Sequence, residues 1–276
     1  MRASHKTGNP ALTRTFIPEP YVPPPIGAVL QPSEPERAGD YGIDMFTAGV
    51  GRPTAGPGGS IVRMQMTPYP PAPWWSCGTM WIASLPTAGP VPVPAGLASI
   101  GGNRLVLTVV RYREGTLSYN EVIVGSVVRR GGRVGVWVHA IWVDSPESLW
   151  GGRRIWGLPK QLATFAWRDR GLVMEAEAGQ RIDIRFEGNP RWSARVPFVA
   201  PAFGMLGGKL QFFHGIGHGR LRMVRLQPSE WPAELPRLRE GTGAVPAMWL
   251  NDFHMVVRAP KELPYVMSEN QASGRA

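Results

Sequence analysis

Three observations predict an α+β fold that is predominantly antiparallel β with few short helices. Runs of four to ten residues with strand-type alternation recur beyond residue 60, glycine pairs sit between several of them, and helix signals are confined to one place. In chain order the strand candidates are 61–66, 79–84, 104–112, 121–129, 134–143, 172–178, 181–187, 220–226 and 253–258. Alternation is clearest in Val134-Gly135-Val136-Trp137-Val138-His139 and in Arg181-Ile182-Asp183-Ile184-Arg185-Phe186, as half-buried strands require. Gly131-Gly132 and Gly179-Gln180 fall where tight turns would join neighbours. Ser145-Pro146-Glu147 offers an N-cap serine followed by proline at the first helical position, which predicts a short helix from Pro146 towards Trp150. Many strands with rare helices point to a large sheet closed or folded over as a barrel or sandwich.

Residues 1–60 differ in kind. They hold ten prolines and nine glycines, which sustain neither a helix nor a central strand. We expect an extended, partly disordered N-terminal arm over 1–60 and one domain over 61–270. Its apolar islands, Phe16-Ile17, Tyr21-Val22 and Ile26 to Leu30, are candidates to dock on the body or on a neighbouring subunit.

Composition narrows the function. No apolar run approaches the roughly 20 residues that cross a bilayer, and Met1 to Thr15 lacks a signal-peptide core, so a cytoplasmic protein without membrane contact is expected. The single cysteine, Cys77, fits a reducing compartment and reads as a small buried residue. The net charge of +10 invites a nucleic-acid reading. The arginines that dominate it are scattered singly or in pairs, without a binding motif, which argues against that reading. His214 and His218 are four apart, but Gly215, Gly217 and Gly219 between and after them predict a turn, so no metal site is expected. His139 reads as a hydrogen-bonded sheet residue.

Lys160 carries the chemistry. It is one of four lysines and follows Ile155, Trp156, Leu158 and Pro159, with Leu162 after it. Apolar surroundings strip water from an ammonium and favour the neutral amine, which attacks carbonyl carbon to form a Schiff base. A solvated loop lysine is the competing reading. Glu121 has two readings as well: a carboxylate that moves a proton, or one paired with an arginine such as Arg154.

The ordered set Tyr119-Asn120-Glu121-Val122-Ile123-Val124, Trp142-Val143-Asp144-Ser145-Pro146-Glu147-Ser148 and Gly152-Arg153-Arg154-Ile155-Trp156-Gly157-Leu158-Pro159-Lys160 resembles the acetoacetate decarboxylase family over about residues 61–260. Tyr69-Pro70-Pro71-Ala72-Pro73-Trp74 resembles the segment that opens its domain. The resemblance implies a cone-like antiparallel sheet around an apolar pocket, a homo-oligomer, no cofactor, and a small-molecule keto-acid or carbonyl substrate. It implies Lys160 as the Schiff-base lysine and Glu121 as a catalytic pocket residue, with Arg154, Trp156 and Tyr119 as substrate-binding neighbours.

Three departures accompany it. The decarboxylases carry a second lysine after the nucleophile, where this chain has Gln161, so desolvation would have to do that lysine's work. Their carboxylate-receiving arginine is missing from Trp74-Trp75-Ser76-Cys77-Gly78, leaving Arg104, Arg111 or Arg153 as substitutes. The strand at 104–112 also lacks their further acidic residue. The expected function is therefore a Schiff-base carbon–carbon lyase, decarboxylase-like. The alternatives are an aldolase or dehydratase of the same fold, a non-catalytic binding protein, or a structural and assembly role in which the arm docks a partner.

Overall fold

In a computed structural model that describes residues 67–188 and 192–264, the alternating runs become twelve strands and one helix. They are β1 (Trp74–Pro86), β2 (Ala98–Ser99), β3 (Arg104–Gly115), β4 (Tyr119–Arg130), β5 (Arg133–Val143), α1 (Pro146–Ile155), β6 (Lys160–Arg168), β7 (Gly171–Ala176), β8 (Arg181–Glu187), β9 (Ala194–Leu206), β10 (Lys209–Glu230), β11 (Val245–Val257) and β12 (Lys261–Glu262). The expected arm and the strand candidate 61–66 lie outside the described residues.

The strands form a ring-like sheet. Its path runs β4–β3–β1–β11–β10–β8–β7–β6–β5, and β5 closes on β4. These pairs are antiparallel except β5–β6, which is parallel. A parallel neighbour cannot be reached by a hairpin and needs a crossover, usually a helix. This is why α1 lies between β5 and β6. β9 pairs with both β10 and β5.

Strand alternation divides the core into two faces. One cluster draws buried side chains from all nine ring strands, including Leu85, Leu107, Val122, Trp142, Ala163, Met174, Ile184, Leu226 and Ala247; this is the ring interior. The opposite face of β1, β3, β4, β5 and β11 carries Met80, Val110, Tyr112, Tyr119, Val143, Leu250, Phe253 and Met255. Leu149 of α1 covers it, as do Val196 and Phe198 of β9. Burying both faces of one sheet is a strong source of stability, since each fully buried large apolar side chain contributes about 1.5–3 kcal/mol.

Three sequence expectations are corrected here. The segment 213–219 is no turn but the middle of the 22-residue β10. Its glycines serve close approach: a Cβ on Gly215 would meet Met255 Sδ at 2.6 Å, one on Gly217 would meet the His254 carbonyl at 2.2 Å, and one on Gly219 would meet Phe253 Cβ at 3.0 Å. Second, β6 and β9 went unpredicted. β9 carries Pro197 and Pro201, which as sequence speak against a paired strand. Third, Cys77 is only part-buried, with Sγ 2.9 Å from His254 Nδ1. Burial, then Glu114 and Asp252, push its thiol up.

No helix among the described residues is long and apolar enough to cross a membrane.

Candidate active site

The register of three adjacent strands brings Lys160 and Glu121 together. Glu121 of β4 lies opposite Val143 of β5, and Ile141, two residues before Val143, lies opposite Lys160, the first residue of β6. Side chains two apart share a face of a strand, so both functional groups project to the face covered by α1. Lys160 Nζ donates to Glu121 Oε2 at 2.7 Å and to Ser148 Oγ at 2.8 Å, with the lysine 3% and the glutamate 3% exposed. The arginine partner considered for Glu121 is thus replaced by the lysine itself.

Two phenols complete the cluster. Tyr112 OH donates to Glu121 Oε1 at 3.0 Å, and Tyr119 OH approaches Oε2 at 3.5 Å. The Tyr119 ring also lies 5.1 Å from Nζ, within cation–π range. Burial, followed by the charge of Glu121, pushes both phenols well above their usual range, so they remain protonated donors. The five groups form one connected network whose members are all buried.

Helix α1 fixes the lid of this cluster. Ser145 is its N-cap, accepting from Ser148 N at 3.0 Å, and Pro146 opens the first turn. The helix runs past the expected Trp150 to Ile155. Gly151 and Gly152 let it sit close to the sheet. A Cβ on Gly152 would meet Lys160 Cδ at 2.4 Å, and one on Gly151 would meet the Trp74 ring at 2.5 Å. Gly157 then adopts φ +65°, the left-handed conformation that ends the helix and turns the chain into β6. Arg153 Nε clamps the Lys160 carbonyl at 2.8 Å.

Asp144 anchors the same corner by accepting from Asn120 N (2.7 Å) and Asn120 Nδ2 (2.6 Å).

Of the sequence-predicted residues, Lys160, Glu121 and Tyr119 meet. Arg154 is exposed on α1, and no ion pair of it is seen among the described residues. Trp156 is buried against Trp74, edge to face at 4.7 Å, and donates to the Arg258 carbonyl at 2.9 Å. No hydrogen bond or ring contact joins either residue to Lys160 among the described residues. Ser148 and Tyr112 went unnoticed in the sequence. Ser148 was legible as the residue that a Ser145 cap would engage, whereas Tyr112 depends on its cross-strand pairing with Tyr119.

Gln161 faces away from Lys160, into the ring interior, because adjacent strand residues point to opposite faces. Its neutrality therefore bears little on the amine.

A cavity of about 420 Å³ opens beside the two phenols, lined by Arg111, Tyr112, Arg113, Ser118, Tyr119, Asn120 and Asp144. Of the substitute arginines, Arg104 is engaged by Ser84 and Arg153 by the Lys160 carbonyl, while Arg111 lines this cavity with its guanidinium 5.6 Å over the Trp167 ring.

Comparisons with known proteins agree with this architecture. An acetoacetate decarboxylase from Legionella pneumophila subsp. pneumophila str. Philadelphia 1 superposes with a TM-score of 0.51 at 14% identity, over 76% of this chain and 98% of its own. A second acetoacetate decarboxylase gives 0.52 at 11% identity, over 76% and 97%. The enduracididine biosynthesis enzyme MppR, complexed with pyruvate, gives 0.50 at 13% identity, over 76% and 99%. At such identities the likeness speaks for the fold. No curated protein matches the sequence. The family model for acetoacetate decarboxylase matches residues 62–208, more than half of the 276 residues, and the chain belongs to the acetoacetate decarboxylase family.

Proposed function

We propose that this protein is a Schiff-base-forming lyase that acts on a β-keto acid or related carbonyl compound through Lys160. The observation that carries the reading is the buried contact of 2.7 Å between Lys160 Nζ and Glu121 Oε2, with Ser148 Oγ at 2.8 Å. Proton transfer along the first contact leaves a neutral amine and a carboxylic acid. The amine adds to the substrate ketone, the carbinolamine loses water with Glu121 as the proton donor, and a protonated imine forms. The imine accepts the electron pair released when the carbon–carbon bond to the carboxylate breaks. Carbon dioxide leaves, the resulting enamine takes a proton at carbon, and water releases the product ketone and regenerates the amine. Tyr112 and Tyr119 hold Glu121 in place as donors throughout.

Substrate approach through the 420 Å³ cavity would bring a carboxylate past Arg111 and Arg113, which supply positive charge at its mouth.

The imine equally supports aldol addition or dehydration. This second reading is favoured by MppR, which shares the fold and is known in complex with pyruvate, an α-keto acid without a β-carboxylate to lose. A panel of β-keto acids and of pyruvate with aldehydes, assayed for carbon dioxide and for condensation products, separates the two. Carbon dioxide release that disappears in Glu121→Gln supports the decarboxylase. Condensation without carbon dioxide assigns the aldolase. Turnover of neither kind, by protein that binds these compounds, would reduce the site to a binding pocket.

A further inference from the structure

The ring interior, on the far side of the sheet from Lys160, carries an arrangement that the imine chemistry does not use. A single cross-strand row runs along seven of its nine strands: Arg222 (β10), Trp249 (β11), Trp81 (β1), Val109 (β3), Val122 (β4), Trp142 (β5) and Gln161 (β6). Trp81 contacts residues of strands that are not its neighbours in the sheet, Trp167 of β6 at 5.6 Å and Phe186 of β8 at 4.5 Å, so these rings meet across the interior. Phe186, Trp81 and Trp249 form a stacked file, with interplanar angles of 16° and 6°. All of these rings except Trp142 are half-buried rather than sealed.

A cation caps one end of the file: the Arg222 guanidinium lies 5.1 Å over the Trp249 ring. Arg222 has no carboxylate partner among the described residues. Its Nε is buried without a hydrogen-bond acceptor, and so are the indole N–H groups of Trp249 beside it and of Trp142 on the same row. Trp142 is only 1% exposed. Buried donors without acceptors are uncommon and each costs about 1–3 kcal/mol. Two of them, Arg222 Nε and Trp249 Nε1, belong to directly paired residues of β10 and β11, one of them on a charged group, and form a set that an acceptor-bearing ligand would satisfy.

We infer that the ring interior is a second binding site, distinct from Lys160, for a planar anionic ligand of the aromatic carboxylate class. The ring system of such a ligand lies along the edges of the tryptophan file, whose faces are taken up by stacking. Its carboxylate accepts from Arg222 Nε and Trp249 Nε1. Arginine stacked on an aromatic ring and also donating through its fork suits this chemistry better than a lysine point charge would.

Quenching of tryptophan fluorescence by 2-naphthoate, with neutral 2-naphthalenemethanol as the control, tests the site on the full chain. The expected result is saturable quenching by the acid and at least tenfold weaker binding of the alcohol. Arg222→Gln should weaken the acid about tenfold or more, because it removes a charge-assisted bond. Trp249→Phe keeps an apolar ring, guards against misfolding as the cause, and should weaken it roughly threefold. Lys160→Ala should bind as the wild type does. Absent saturation, equal binding of the alcohol, or an Arg222→Gln protein that binds unchanged would overturn the inference. Binding lost in Lys160→Ala protein that keeps the wild-type circular-dichroism spectrum would also overturn it, placing the acid at the imine site instead.

Discussion

At the level of single residues, Lys160 and Glu121 form a buried ion pair whose partners depend on each other. Removing one member of such a pair strands the other charge and typically costs about 3–5 kcal/mol, whereas replacing both by apolar groups is often close to neutral. Lys160→Met and Glu121→Gln should therefore each lower the denaturation midpoint clearly, and the double variant should recover much of the loss. Urea titration of the three proteins checks this, and strictly additive losses would show that the two groups are not coupled. In turnover, Glu121→Gln should lose about 10²–10⁴-fold, the usual contribution of a positioned acid or base. Lys160 and Glu121 were legible in the sequence because each sits in a motif. Ser148 and Tyr112 were less so, since their contribution comes from helix capping and strand register and not from their local sequence.

At the scale of the element, α1 decides how the lysine is held. Its cap is local chemistry, and Ser145→Ala should cost about 0.5–2 kcal/mol of stability by leaving the Ser148 amide without its acceptor. Gly152→Ala is a sharper probe, because the added methyl would occupy the path of the Lys160 shaft. It should lower imine formation more than it lowers stability, read as the trapping rate against the thermal midpoint. The start of this helix was visible in Ser145-Pro146-Glu147, but its extent was not, since Gly151-Gly152 reads as a break until the close packing is seen. The same confusion affected β10, where Gly215, Gly217 and Gly219 read as a turn. Sequence shows that a glycine is present; only the facing residue shows whether it bends the chain or makes room.

At the scale of the whole molecule, the ring sheet was legible as strand-rich and antiparallel, but its closure was not. Closure depends on the parallel β5–β6 pair, a crossover between strands of which β6 shows no clear alternation in the sequence. The sheet also sets a pH response. His139 of β5, whose Nε2 lies 2.7 Å from Ser126 Oγ, is held by burial near a pKa of about 4 instead of 6.5. Between those values the unfolded chain binds the proton and the folded one does not, so this contribution to stability is complete above pH 6.5 and lost as pH falls towards 4. The midpoint difference between pH 7.5 and pH 4.5 should be smaller in His139→Gln than in the parent. Imine formation at Lys160 is read by borohydride reduction in the presence of keto acids, followed by peptide mass analysis. A substrate-sized adduct is expected on Lys160 and is absent in folded Lys160→Ala. Folded wild-type protein that yields no adduct with any member of the panel, or one carried by Lys209 or Lys261 alone, would contradict it.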